Sequence, residues 1–269
     1  MFSGYVKRRI EHDPEFAVMY YENGSRRAER KYGADSPQAL NVRQEYAVAL
    51  HRTGKSEKAE AELAAVIARR DPTSNVGDEF TRYAKTWHAR VLYALSRFDE
   101  AEPEWRELSA ECDHLLGVNH PDAIDAHEYH ALTLARLSRF AEAEAEMADV
   151  AEKWAADGSD AAATLQARTA QAVYLDTLGR WEESESAWRK LAEAKGRVLG
   201  SNHADTIAAR ERLAVALYEQ QRLREAAAEY GEVMALRAIA LGADHPDTKR
   251  AQGWRADIMR ELDGPDQGG

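Results

Sequence analysis

Cysteine is almost missing: Cys112 stands alone in 269 residues, so no disulfide can form within the chain and a cross-linked scaffold is excluded. A lone thiol inside a helical stretch reads as a packed side chain, and it fits a reducing compartment. Long apolar runs are missing too. Nothing approaches about 18 uninterrupted apolar residues, so no membrane span and no membrane partner are expected. Between Met1 and Tyr20 stand Lys7, Arg8, Arg9, Glu11, His12, Asp13 and Glu15, which leave no apolar core for a signal peptide. The expected location is therefore cytoplasmic.

Basic charge is the minority sign. With 36 Lys and Arg against 47 Asp and Glu, the net charge is −11, which argues against nucleic acid as a partner, since phosphates need a basic face. No Gly-rich phosphate loop, GxSxG elbow, HExxH or Cys/His nucleophile pair is present either. The chain is thus expected not to be an enzyme and to carry no cofactor and no metal.

What the chain has in abundance is repetition. TGKSEKAEAEL from Thr53 returns as LSRFDEAEPEW at Leu95, LSRFAEAEAEM at Leu137, LGRWEESESAW at Leu178 and QQRLREAAAEY at Gln220. The small residue in this break falls at Ala59, Ala101, Ala143, Ser184 and Ala226, giving periods of 42, 42, 41 and 42. A fixed period of this size predicts a solenoid, in which each unit buries its apolar face only against its neighbours. Before each break stand Ala47, Ala89, Ala131, Ala172, Ala214 and, in a last helix, Ala256. Leu50, Leu92, Leu134, Leu175, Leu217 and Met259 follow on the same helical face. Leu63, Trp105, Met147, Trp188 and Tyr230 fill the space one turn past the second small residue.

A second motif opens each unit: KYGADSPQAL from Lys31, LLGVNHPDAI from Leu115, VLGSNHADTI from Val198 and ALGADHPDTK from Ala240. Gly33, Gly117, Gly200 and Gly242 close the preceding helix, Pro37, Pro121 and Pro246 suit a first helical position, and Asp122, Asp205 and Asp247 place a carboxylate at the positive helix start. Degenerate entrances lie near Asp71 to Asp78 and at Asp157-Gly158. The stretch Asp71 to Gly77 is the longest break and the expected flexible joint.

These small and bulky positions resemble the tetratricopeptide repeat, and the long period with its His-Pro-Asp-Thr entrance resembles the kinesin light chain-like subfamily, about eight residues longer than the usual repeat of about 34. The paired Asn common in that subfamily is replaced by Gln44-Glu45, Thr86-Trp87, Glu128-Tyr129, Thr169-Ala170 and Glu211-Arg212. No cargo is carried over for that reason. The resemblance implies an all-α fold: an α-solenoid of antiparallel helix pairs, about five units with flanking capping helices, wound as a right-handed superhelix. We divide the chain into an N-terminal arm and capping helix (1–33), the array (34–75, 76–117, 118–158, 159–200 and 201–242, with a final helix at 243–262 and a polar outer face), and a disordered tail (263–269). Residues 1–12 are expected to be a frayed helix or arm, with Lys7-Arg8-Arg9 as a solvated end, and Asn23-Gly24 to weaken or kink the capping helix.

Function in such arrays is expected on the groove lined by the first helices, holding a protein or peptide segment. The family's groove positions map to Asn41, Gln44, Val48, His51 and Arg52; Tyr83, Thr86, Arg90 and Tyr93; Asp125, Glu128, Leu132 and Arg136; Gln166, Thr169, Val173, Asp176 and Thr177; and Glu211, Val215, Tyr218 and Glu219. Arginines gather at the early end and acids at the late end, which would suit a partner with acids at one end and bases at the other. No lysine clamp for a terminal carboxylate is visible. His120, His203 and His245 occupy equivalent turns of different units and read as structural. His88, His127, Glu128 and His130 are a denser cluster, read first as packed or hydrogen-bonded side chains, with a small-molecule or catalytic pocket there as the alternative function. Homo-oligomerisation through the end helices is a third expectation.

Overall fold

In the computed structural model, residues 2–70, 79–157 and 161–264 are described. Among them lie thirteen α-helices and no strand: α1 (Phe2–His12), α2 (Pro14–Tyr32), α3 (Pro37–Arg52), α4 (Ser56–Arg69), α5 (Glu79–Ala94), α6 (Phe98–Leu116), α7 (Pro121–Arg136), α8 (Phe140–Asp157), α9 (Ala161–Thr177), α10 (Trp181–Leu199), α11 (Ala204–Glu219), α12 (Leu223–Leu241) and α13 (Pro246–Asp263). The helices fall into two compact units, Met1–Ser138 and Arg139–Gly269. In the first, each helix packs on the next from α1 to α7, and the first helices α3, α5 and α7 also touch directly; in the second, packing runs in sequence from α8 to α13. The expected joint from Asp71 to Gly77, the entrance at Gly158 and the tail from 265 on lie outside the described residues.

The recurring small residues explain the packing. Ala47, Ala59, Ala89, Ala101, Ala131, Ala143, Ala172, Ser184, Ala214 and Ala226 have no exposed surface, so paired helices meet at backbone-near distance. Leu63, Trp105, Met147, Trp188 and Tyr230 are buried beside them, each worth about 1.5–3 kcal/mol in transfer from water. Ala256 and Met259 hold the same register on α13 but stay exposed, because no described helix follows to cover them. The outer face of α13 is consequently less polar than expected: Trp254 stands half exposed and stacks on Tyr230.

Helix ends follow the entrance motif. Ser36 caps α3 by accepting from the Ala39 N–H, while His120, His203 and His245 cap α7, α11 and α13, each accepting at Nδ1, at 3.2 Å, from the N–H two residues on. A ring nitrogen thus replaces the usual Ser or Asp cap oxygen, which is the structural role expected of these histidines. Gly117, with φ 93° and ψ 149°, occupies a backbone region open essentially only to glycine.

At the N-terminus the helical alternative for residues 1–12 holds, while the expected kink at Asn23-Gly24 needs correction. Residues 2–12 form a regular helix, and α2 runs unbroken through Asn23-Gly24. The glycine serves close approach instead: a Cβ there would stand 3.1 Å from Val42 Cγ1 on α3. Asn23 donates its amide to the Met19 carbonyl and stays within the helix.

An ionic latch repeats along the chain. Arg97, one residue ahead of α6, pairs with Glu100 and reaches back 3.4 Å to Glu60 on α4. Arg180 does the same with Glu183 and Glu144, and Arg222 with Glu225 and Glu185. Solvent screens these exposed pairs, so they add little stability and serve to tie one repeat to the next.

Candidate functional site

On the first-helix side of the first unit, aromatic rings and guanidinium groups alternate. Trp87 on α5 is the hub: Tyr83 meets it edge-on at 6.2 Å and His51 of α3 at 6.1 Å, while the Arg52 and Arg90 guanidinium carbons stand 5.7 and 5.2 Å from its centroid. Arg90 also lies 4.9 Å over Tyr129 of α7 and ion-pairs with Asp125. Tyr129 stacks on the buried Trp105 and meets Tyr93 edge-on; Tyr93 packs on Phe98, and Arg136 covers the Phe98 ring at 4.9 Å. Each such cation–ring contact contributes about 0.5–1 kcal/mol where exposed and more where dry. Between α5 and α7 this row encloses a cavity of about 230 Å³, lined by Tyr83, Thr86, Trp87, Arg90 and Asp125, with Cys112 and Arg82 also in its wall.

Burial shifts two titratable groups of the row toward their neutral forms. Burial raises the Glu45 carboxyl above its ordinary range, against the pull of Arg52 and a hydrogen bond from Tyr83. His51 is pushed down by burial and then by Arg52 and Arg90, which favours its neutral form. Burial lifts the Cys112 thiol to about 11, in keeping with a packed rather than a reactive cysteine.

The mapped positions separate into three groups. Tyr83, Thr86, Arg90 and Asp125 share the cavity, and His51, Arg52, Tyr93 and Arg136 lie along the row that borders it; Glu128 and Leu132 are half-buried on α7. Asn41 and Gln44 instead accept from Arg70 at 2.7 and 3.5 Å, and Gln44, at 3 % exposure, and Val48, at 2 %, are core residues rather than groove residues. In the second unit two of the three acids of the expected acidic end, Asp176, Glu211 and Glu219, are already engaged. Asp176 accepts from Ser184 and from Trp188 Nε1 at 3.1 Å, inside the α9–α10 pair, and Glu211 pairs with Arg237 of α12 at 2.7 Å. Thr169 and Thr177 hydroxyls donate to carbonyls of their own helix, and the Tyr218 hydroxyl donates to Glu261 of α13. Val173, Gln166 and Glu219 remain exposed on that side.

The Tetratricopeptide repeat model matches two consecutive stretches, residues 164–205 and 206–247. Residues 164–247 are thus two tetratricopeptide repeats. Solved structures agree over far more of the chain. The kinesin light chain nearly identical TPR-like repeats of Podosopora anserina superpose with a TM-score of 0.64 at 20% identity, over 77% of this chain and 98% of that one. BtubC (BKLC) from P. vanneervenii gives 0.55 at 12% identity over 98% and 94% of the two chains. YrrB, a TPR protein with an unusual peptide-binding site, gives 0.58 at 15% identity over 85% and 97%. Identities this low establish the fold. No curated protein matches the sequence.

In the first unit the denser histidines are bound into helix packing. His88 lies between two second helices, with Nδ1 2.9 Å from Glu104 and Nε2 3.5 Å from Glu60. Burial lowers its pKa, but the two carboxylates outweigh burial and leave it raised. His130 stands 3.5 Å from Glu102 and His127 3.1 Å from Asp113. Among the described residues no three His, Cys, Asp or Glu side chains are grouped to hold a metal ion, and none of these histidines lines the 230 Å³ cavity.

Trp87 and Tyr129 are the residues of this row that the mapping passed over. Both were visible as the second member of the pairs that replace the family's paired Asn, Thr86-Trp87 and Glu128-Tyr129.

Proposed function

We propose that this chain is a non-enzymatic binding scaffold whose first unit holds a protein or peptide segment against the row from His51 to Arg136. Tetratricopeptide repeats generally mediate protein–protein contact, and the observation that carries the more specific reading is Trp87, flanked by Arg52, Arg90 and Tyr83 beside an open cavity. Rings with a polar tip and guanidinium groups on their faces suit an apolar or aromatic anchor flanked by carboxylates. A basic end on the partner keeps only Glu219 to meet it, because Asp176 and Glu211 are committed to their own helix pairs. The net charge of −11 opposes a long acidic tract, so the favoured partner carries a few well-placed acids. The peptide-binding site of YrrB, on the same fold, is compatible with this use of the array. The lone buried Cys112 suits a reducing, cytoplasmic setting.

Selection from a random peptide library on the immobilised chain tests the reading. Enriched peptides should carry an apolar anchor with neighbouring acids, and Arg52→Glu plus Tyr83→Ala, both at exposed positions, should weaken them at least about tenfold. Equal capture by wild type and variant would overturn it.

A further inference from the structure

The same interhelical space occurs twice in the chain, narrowed in one repeat and widened in another. Between α4 and α6, over α5, Ile67, Lys85, Glu104, Glu107 and Leu108 enclose about 140 Å³. Two repeats on, between α8 and α10 over α9, the matching positions are Ala151, Arg168, Ala187, Lys190 and Leu191, and all five line a cavity of about 410 Å³. Two of the changes remove bulk, Ile67 to Ala151 and Glu104 to Ala187. The walls are completed by further small residues, including Ala148 and Ala194, over a floor of Leu165 and Leu175.

The charge changes with the volume. Lys85 lies 3.2 Å from Glu107 and 3.4 Å from Glu111. At the matching places beside Arg168 stand Lys190 and Ala194, so one acid has become a base and the other is gone. Arg43 and Arg210, in the same register as Arg168, pair with Glu62 and Glu229; Ala187 stands where Arg168 would find that partner. Among the described residues neither Arg168 nor Lys190 has an ion pair or a hydrogen bond, and both are exposed at the mouth. Of the acids in the wall, Glu144 and Glu183 are held by Arg180, leaving Glu152 at the rim.

We propose that the space between α8 and α10 is a binding site for a small amphipathic carboxylate, its apolar body lying on the alanine and leucine floor and its anionic head between Arg168 and Lys190. The volume is within the range of small-ligand pockets and takes a body of about ten to fifteen heavy atoms. Two unpaired cations against the single free acid Glu152 leave a net positive mouth beside the apolar wall, which selects against neutral and cationic ligands of the same shape, because only an anion gains from both bases. The site lies on the second-helix side of α9, and it stands or falls apart from the first-helix face of the other unit.

Calorimetric titration of the full chain with octanoate, 1-octanol and octylamine tests the proposal. Octanoate should bind saturably, one to one and in the millimolar range or tighter, at least about tenfold better than either control. Arg168→Gln plus Lys190→Gln should weaken it at least about tenfold with an unchanged circular dichroism spectrum, and Ala151→Ile plus Ala187→Glu, which restores the residues of the narrowed repeat, should abolish it. Absence of saturable octanoate binding, equal binding of 1-octanol, or insensitivity to the charge variant would each overturn the assignment. So would capture of a short peptide ending in a leucine carboxylate while octanoate stays silent, since the occupant would then be a protein terminus.

Discussion

The spaces over α5 and over α9 are built from matching positions, yet Ile67, Glu104 and Glu107 narrow and neutralise the first while Ala151, Ala187 and Lys190 widen and charge the second. Repeats of one fold share their helix contacts through Ala59, Ala101, Ala143, Ser184 and Ala226, which leaves the residues one turn away free to diverge. The lesson is that a repeat array keeps its stacking in the recurrent positions and places its individuality in those that fail to recur. The two first-helix faces differ in the same way: the first unit exposes a ring and guanidinium row, whereas the second turns Asp176 and Glu211 inward.

Matched substitutions break or sharpen this contrast. The largest effect is expected from the shared leucine. Both leucines are buried and each borders a cavity; Leu108→Ala should cost about 3–4 kcal/mol in urea unfolding and Leu191→Ala only about 2, because the cavity beside Leu191 is the larger. Equal losses would mean that the second space closes in solution. Next is the base on the first helix. Lys85→Ala, which leaves Glu107 and Glu111 facing each other, should cost about 0.5–1 kcal/mol, whereas Arg168→Ala should fall within about 0.3 kcal/mol of wild type.

A smaller, pH-dependent difference comes from His88, whose matching residue is Gln171. The two carboxylates raise the folded-state pKa of His88 despite burial, so its contribution is fully present below the unfolded value of about 6.5 and is lost as pH rises through the folded value. His51, pushed down, contributes with the opposite sign, so the comparison must be between wild type and His88→Gln. The variant's melting temperature should fall less on going from acidic to alkaline pH; parallel curves would remove His88 from the account. The smallest effect is in the turn. Ser96 holds φ at 60°, where Gly179 stands two repeats later, and Ser96→Gly should stabilise by about 0.5 kcal/mol by relieving left-handed strain.

Much of this architecture was legible in the chain itself. The 42-residue period, the small residues and the glycine-closed helices are local signals that repeat, and repetition makes weak signals strong. The site was legible in part. Family position brings Tyr83, Arg90 and Arg136 onto one row, while Gln44 and Asp176 turn to Arg70, past the end of α4, and Trp188 on α10, partners that no spacing along one helix reveals. Gly24 misled for a similar reason: its cost to the helix is local and its benefit, the approach of Val42, is tertiary. The α8–α10 cavity was hidden because Ala187 and Lys190 look ordinary until they are set beside Glu104 and Glu107.

The most direct test of the central contrast is a methyl NMR titration of the leucine-labelled chain with octanoate. Saturable shifts at Leu165, Leu175 and Leu191, with Leu108 unmoved, are the predicted result; equal shifts at Leu108 and Leu191, or none at either, would contradict the claim that one repeat has widened what its counterpart keeps narrow.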